Sequence, residues 1–477
     1  MRGLWRVGAI GGVMLACGSS GGGGSNDAGL PSSDGTPTTD AGGTDVAGWT
    51  DTTGRTDAAP PEDAALPPDA TPDASEPVVN DFPDVTPDDG QNDTPAIQAR
   101  LAAAAAGDIL TLGTGTYDLG SPVALPPGIV LKGAADGGTT LRLQAGSFPG
   151  FAFGYLVIPQ AQPTGTTPAT GISRLHLDGN RSSGAYADNQ GGGVKAGSYW
   201  TIRDVTFSNF NYFRLWLKDT IGVTVHGCTW DDLPGATASE NDSIGGGHNI
   251  DLRIENATLT ARTTGNALDL LNSVRLTVRR LHAARGSMYL EGAVDSTVAD
   301  SVLDAGGLVL QTDVGYQSSM RVVNPLGNTI QGNTVSGADT IGIAVRYDDD
   351  QGKGTPVDVG GENHIEGNTV VGAGSLGIAV FGAADAVKGS PDIIVGNQIR
   401  NVLSPAPYEY DVGYGTFDDA GIALSIGDGD EIGNNRIEDT QTPPTTRHGV
   451  VVGARGGRSV PVRTNVHDNV EVGLLAP

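Results

Sequence analysis

The chain has 477 residues, rich in glycine (73) and poor in aromatics (5%), with 55 acidic against 28 basic side chains and a formal charge of −27. That balance provides no basic patch to neutralise phosphates, which excludes nucleic acid as a partner. Only two cysteines occur, Cys17 and Cys228, so the fold must be held by its core rather than by a disulfide framework.

Arg2 and Arg6 precede a short apolar stretch, Val7 to Ala16, which reads as an export signal too short to cross a bilayer. The junction Met14-Leu15-Ala16-Cys17 resembles a bacterial lipobox, although Met replaces the usual Leu three places before the cysteine. The resemblance implies a signal peptide over 1–16, a lipidated Cys17 as first mature residue, and membrane contact through that lipid alone. The expected location is the bacterial cell surface or outer membrane; plain secretion is the alternative. Residues 17–90 form a Gly/Ser/Thr/Asp/Pro stretch. Over 18–95 a single Arg55 faces fourteen aspartates and two glutamates, net −15. So little apolar surface cannot offset ordering entropy, and a disordered tether is expected, spanning on the order of 50 Å.

Residues 91–477 read as one folded domain. Thr94 and Pro95 predict a helix start, Ile97, Leu101 and Ala104/Ala105 its apolar face, and Gly107 its end. A strand follows from Ile109 and turns at Gly113–Gly115. Asp93-Thr94-Pro95-Ala96-Ile97-Gln98, then Gly115-Thr116-Tyr117, resembles the N-terminal region of pectate-lyase-like proteins. Ile172-Ser-Arg-Leu-His-Leu-Asp-Gly-Asn180 is similar to a characteristic coil of the same group. The resemblance implies an all-β fold, a single right-handed parallel β-helix with an N-terminal capping helix.

Internal repeats point the same way. Ile330-Gln-Gly-Asn333-Thr-Val335 recurs at Ile365–Val370, Ile394–Ile399 and Ile432–Ile437. Gly342-Ile-Ala-Val345 recurs at Gly377–Val380 and Gly421–Leu424. Repeats at this period are turns of a solenoid. Apolar pairs five apart continue the pattern upstream, at Ile172/Leu177, Ile202/Phe207, Val225/Trp230, Ile254/Leu259, Leu276/Leu281 and Val298/Leu303, giving ten or more coils. The recurring Asn is read as structural, suited to left-handed turns and to side-chain ladders.

Candidate chemistry comes from strand alternation. In Arg214-Leu-Trp216-Leu-Lys218 the leucines point inward, so Arg214, Trp216 and Lys218 point out. The aligned strands at 268–270, 288–291 and 308–311 put Asp269, Tyr289, Glu291 and Gln311 outward. An indole stacks on sugar faces and basic groups pair with uronates. These residues predict a polysaccharide-binding surface in which Trp216 and Gln311 bind substrate. Lyase-like cleavage would use Lys218 or Tyr289 as base and Arg214 as carboxylate partner, with Asp269 and Glu291 as calcium ligands. The paired aspartates, the Lys with Arg-His-Gly, and the Asp-Pro-His-Asp of known enzymes on this fold are absent at the corresponding positions. A non-catalytic glycan-binding adhesin is therefore the alternative. The seven histidines have no ligand spacing, and Asp428-Gly-Asp430-Glu431 and Tyr347-Asp348-Asp349-Asp350 read as solvated loops. The protein is expected to act as a monomer.

Overall fold

The structure is a computed structural model. It describes residues 80–144, 154–162, 168–181, 191–210, 212–231, 242–260, 265–312, 324–347, 360–382, 388–403, 408–409, 416–417, 420–424, 429–452, 462–466 and 472–475. The export signal, Cys17 and nearly all of the expected tether lie outside these residues.

Each coil of the domain lays down three short strands that pair in parallel with the equivalent strands of the coils before and after. The first ladder runs from Ile109–Thr111 through Val130–Lys132, Thr170–Ser173 and Glu431–Glu438 to Val462–Val466. The second runs from Gly115–Leu119 through Thr139–Leu143 and His176–Asp178, and the two are joined into one 24-stranded sheet. The third ladder is a separate 13-stranded sheet, from Val123–Leu125 to Val472–Leu475. Twelve strand spacings make a stack roughly 58 Å long. This is the expected right-handed parallel β-helix.

The alternation seen in the sequence builds the core. Ile172, Ile202, Val225, Ile254, Val278, Val298, Ile330, Ile365, Ile394 and Ile432 stack in one inward row of the first ladder, all 0–1% exposed. Each such side chain contributes about 1.5–3 kcal/mol by leaving water. Leu177, Phe207, Trp230, Leu259, Ala283, Leu303, Val335, Val370, Ile399 and Ile437 form the second row, where Phe207 and Trp230 stack at 5.0 Å. The expected pair Leu276/Leu281 is displaced by two residues. Val278 and Ala283 hold the strand positions, because the coil after Ile254 is 24 residues long and the next is 20.

Between the first two ladders lies a tight corner whose leading residue is left-handed. It is Arg174, Asp204, Gly227, Asn256, Arg280, Asp300, Gly332, Gly367, Gly396 and Asn434 in successive coils, with φ of 50–66°. The repeated Asn therefore is not the left-handed residue; the glycine before it usually is. The Asn follows and turns inward. Asn333 Nδ2 donates to Asn368 Oδ1 (3.0 Å), Asn368 to Asn397 (3.0 Å) and Asn397 to Asn435 (2.9 Å). Each Nδ2 also donates to a carbonyl of the preceding coil, such as Asn368 to Ile330 (2.9 Å). Upstream, the same stacked position holds Leu175, Val205, Cys228, Ala257, Leu281 and Ser301, all buried.

The helix spans Thr94–Ala102, with Asp93 rather than Thr94 at the N-cap. It stops five residues short of Gly107, where the Asp108 carboxylate takes the Ala105 N–H (2.9 Å). Its buried Ile97 and Leu101 close the end of the core together with Phe82 (1% exposed) and Val85 (6%). Packed structure thus begins before residue 91. Asp81 N–H donates to Thr111 O (2.8 Å), and Asp81 Oδ2 accepts from Thr111 N–H (2.8 Å).

Candidate functional site

The outer face of the third ladder carries two parallel rows of side chains. Register places Lys195, Trp216, Gly245, Asp269, Tyr289 and Val309 side by side along the first row. Lys218, Gly247, Leu271, Glu291, Gln311, Arg346 and Phe381 form the second, two residues further along each strand. Trp216, Lys218, Asp269, Tyr289, Glu291 and Gln311 therefore share one face and are partly buried, while Lys195 is exposed.

Arg214 does not belong to this face. The strand begins at Leu215, and Arg214 is a bend residue at 0% exposure whose Nη1 donates to Ser243 Oγ (3.2 Å). Alternation predicted an outward arginine, but it holds only inside a strand; one residue before it the chain is already turning. Arg214 is thus closed to a substrate carboxylate.

An aromatic patch surrounds Trp216. Tyr212 and Phe213 meet edge-on at 4.6 Å, Phe213 tilts against Trp216 at 4.6 Å, and Tyr155 lies 6.2 Å from Tyr212. Glycines make the room. A Cβ at Gly245 would sit 2.3 Å from Phe213 Cε1, and one at Gly192 2.4 Å from the Tyr155 ring. These glycines belong to two triple runs, Gly191–Gly193 and Gly245–Gly247, on the strands flanking Trp216. A pair of Gly-Gly-Gly strands around an aromatic strand was the sequence signal for this patch. It also aligns Lys195 with Trp216, a residue that inspection of 214–218 alone misses.

Further along the rod the face turns acidic. Asp269 Oδ2 accepts from Asn266 Nδ2 (3.4 Å), and the Asn266 N–H donates to Asp242 Oδ1 (2.5 Å). Burial pushes the Asp242 carboxyl up to about 6, against the opposing pull of that N–H. Gln311 joins its neighbours at both ends of its amide. Its Nε2 donates to Glu291 Oε1 (2.6 Å) and its Oε1 accepts from Arg346 Nη1 (2.9 Å), with the Arg346 guanidinium 5.7 Å from the centre of the Phe381 ring. Asp269 and Glu291 sit on diagonal positions of adjacent strands, roughly 7–8 Å apart. Calcium takes six to eight oxygens. Among the described residues no group of three or more His, Cys, Asp or Glu is placed to hold a metal, so these two carboxylates do not by themselves make a calcium site.

Of the two expected solvated loops, Glu431 is exposed but two other described residues are not. Tyr347 (1% exposed) and Asp430 (0%) are interior residues of one corner of the coil. Asp348–Asp350 and Asp428 lie outside the described residues. Cys228 is buried in the corner stack, with its thiol pushed up to about 12 by burial.

No family model and no curated protein matches this chain. Solved structures do. The surface adhesin PfbA of Streptococcus pneumoniae superposes with a TM-score of 0.51 at 12% identity, covering 83% of this chain and 92% of the adhesin. The tailspike of E. coli bacteriophage HK620, in complex with a pentasaccharide, gives 0.53 at 11% identity over 82% of this chain and 78% of the tailspike. The Agl-KA catalytic domain gives 0.50 at 11% identity, over 84% and 69%. At these identities the likeness establishes the parallel β-helix fold and nothing finer.

Proposed function

We propose that the outer face of the third ladder binds an extended polysaccharide, with a pyranose ring stacked on Trp216 and acidic sugar substituents held by Lys195 and Lys218. The observation behind this reading is the aromatic patch bordered by two lysines on a domain whose residues 96–477 hold 39 acidic against 25 basic groups. Aromatic faces attract sugar C–H surfaces, and a local pair of ammonium groups overcomes the general repulsion of a polyanion. A tailspike of the same fold is in complex with a pentasaccharide, which agrees with this use of the architecture. Calcium enters as a bridge between glycan carboxylates and Asp269 or Glu291. The chain is exported and tethered through lipid on Cys17, so Cys17→Ser should move it from the membrane fraction to the soluble one; unchanged partition would refute the anchor.

A second reading adds β-elimination. Lys218 lies two residues past Trp216 on the same side, about 7 Å along the strand, where its amine can reach the proton α to the carboxylate of a stacked uronate. Tyr289 is three strands away from Trp216, about 14 Å, and serves a different sugar subsite. Binding is tested on a glycan panel with Trp216→Ala and with Lys195→Gln/Lys218→Gln. Each should weaken capture at least tenfold, and undiminished capture by both would remove the reading. On the same panel, unsaturated uronate ends absorb in the ultraviolet. Their release by wild type and loss in Lys218→Ala at glycan concentrations that saturate both proteins selects the lyase; no product from any bound glycan leaves the adhesin.

A further inference from the structure

Beside the third ladder, at the corner that leads into the first, Lys388 is buried among acids. Its side chain is 1% exposed, and those of Asp392 and Asp430 are 0%. Lys388 Nζ lies 3.0 Å from Asp392 Oδ2, contacts Asp430 Oδ1 directly, and sits 5.6 Å from the centre of the Tyr347 ring. Asp392 is held on its other side. The Tyr347 hydroxyl donates to both its oxygens (2.9 and 2.7 Å), and Asn363 Nδ2 donates to Oδ1 (3.0 Å). Asp430 Oδ1 also accepts the Asp392 N–H (2.8 Å), while Asp430 Oδ2, fully buried, has no hydrogen-bond partner.

One ammonium and two carboxylates in a dry corner carry a large desolvation cost, and an orphaned carboxylate oxygen adds to it. A covalent bond between Lys388 and Asp430 removes both their charges and the orphan together. We propose that Lys388 and Asp430 condense to an intramolecular isopeptide bond, with Asp392 as the proton relay. Nζ gives a proton to Asp392 and attacks Cγ of Asp430; the Cγ–Oδ2 bond breaks, and Oδ2 leaves as water with two of the three ammonium protons. Charge balances, since ammonium and carboxylate become a neutral amide and water, and no oxidant or reductant is needed. The retained oxygen, Oδ1, keeps the bond from the Asp392 N–H, and the new amide N–H faces Asp392 Oδ2. Burial raises the Asp430 carboxyl to about 6, toward the neutral acid that accepts a nucleophile more readily than the anion does. The link would join two successive coils across 42 residues, a staple in a domain whose described cysteine is buried and unpaired.

The test is mass spectrometry of the purified full chain, denatured and digested with trypsin. Wild type should yield a branched peptide joining the Lys388 and Asp430 segments, lighter than their sum by one water. Lys388→Met should yield the separate peptides at sequence mass. Asp430→Asn should still cross-link, with loss of ammonia in place of water. Asp392→Asn, folded by circular dichroism, should stay uncross-linked; a branched peptide in that variant would overturn the relay. Separate wild-type peptides at full sequence mass, with Lys388 open to trypsin, would overturn the bond itself, and that readout does not depend on any variant folding.

Discussion

Trp216 and Arg214 are two residues apart, and the fold gives them opposite fates. Trp216 lies outward among rings and is partly buried; Arg214 is sealed in with Ser243. Arg214→Ala should cost about 3 kcal/mol in chemical denaturation, by removing a buried hydrogen-bonded charge. Trp216→Ala should cost about 1 kcal/mol, mostly lost ring contact with Phe213, while affecting glycan capture far more. Equal losses of stability would place Trp216 in the core and end its role as a sugar platform. Asp242 supports a pH prediction. Its folded carboxyl titrates near 6 against an ordinary 3.8, so the folded state binds the extra proton between those values. The contribution is present below pH 3.8 and lost as pH rises through 6, costing on the order of 2–3 kcal/mol above it. Asp242→Asn keeps an acceptor for the Asn266 N–H and should raise the melting temperature at pH 7.5 but leave it nearly unchanged at pH 4. A uniform shift at both values would mean that charge burial is not the cause.

At the scale of elements, the corner between the first two ladders shows how one position is filled in two ways. Upstream it is packed by Leu175, Val205 and Cys228; downstream it is occupied by the asparagine ladder. Apolar stacking and amide stacking both bury the corner, and the amide also takes up a backbone N–H there, as when Asn368 N–H donates to Asn397 Oδ1 (2.9 Å). Asn368→Ala removes hydrogen-bond partners from groups on the coils before and after it and should lower stability by roughly 2–3 kcal/mol. Cys228→Val, at an equivalent apolar position, should cost less than about 1 kcal/mol. Comparable losses at the two sites would show that the amide ladder adds nothing beyond packing.

At the scale of the whole molecule, the N-terminal end of the stack is closed by the helix and by the segment before it. Phe82 and Val85 seal the core ahead of Ile97 and Leu101, so limited proteolysis should yield a resistant fragment starting near residue 80. A resistant start at residue 91 would mean that the leading segment is dispensable. With that end covered, the long outer face of the third ladder is the surface on which successive coils place side chains in rows, aromatic and basic at Lys195 and Trp216, acidic at Asp269 and Glu291.

The coil architecture and the inward rows were legible in the sequence, because apolar pairs five apart and the Ile-x-Gly-Asn repeats report a strand, a tight corner and a strand, all local relations. Alternation also placed Trp216, Lys218, Asp269, Tyr289, Glu291 and Gln311 outward. Only the tertiary structure decided which of them are neighbours. Coils of unequal length bring Trp216 beside Lys195 and two strands from Asp269, a lateral register that depends on hydrogen bonds between residues some twenty to thirty apart. Burial at corners was likewise beyond reach. Arg214, Tyr347 and Asp430 read as polar surface, yet each lies at a strand end, where the chain turns against the stack, so its environment is set by adjacent coils and not by its own neighbours in sequence.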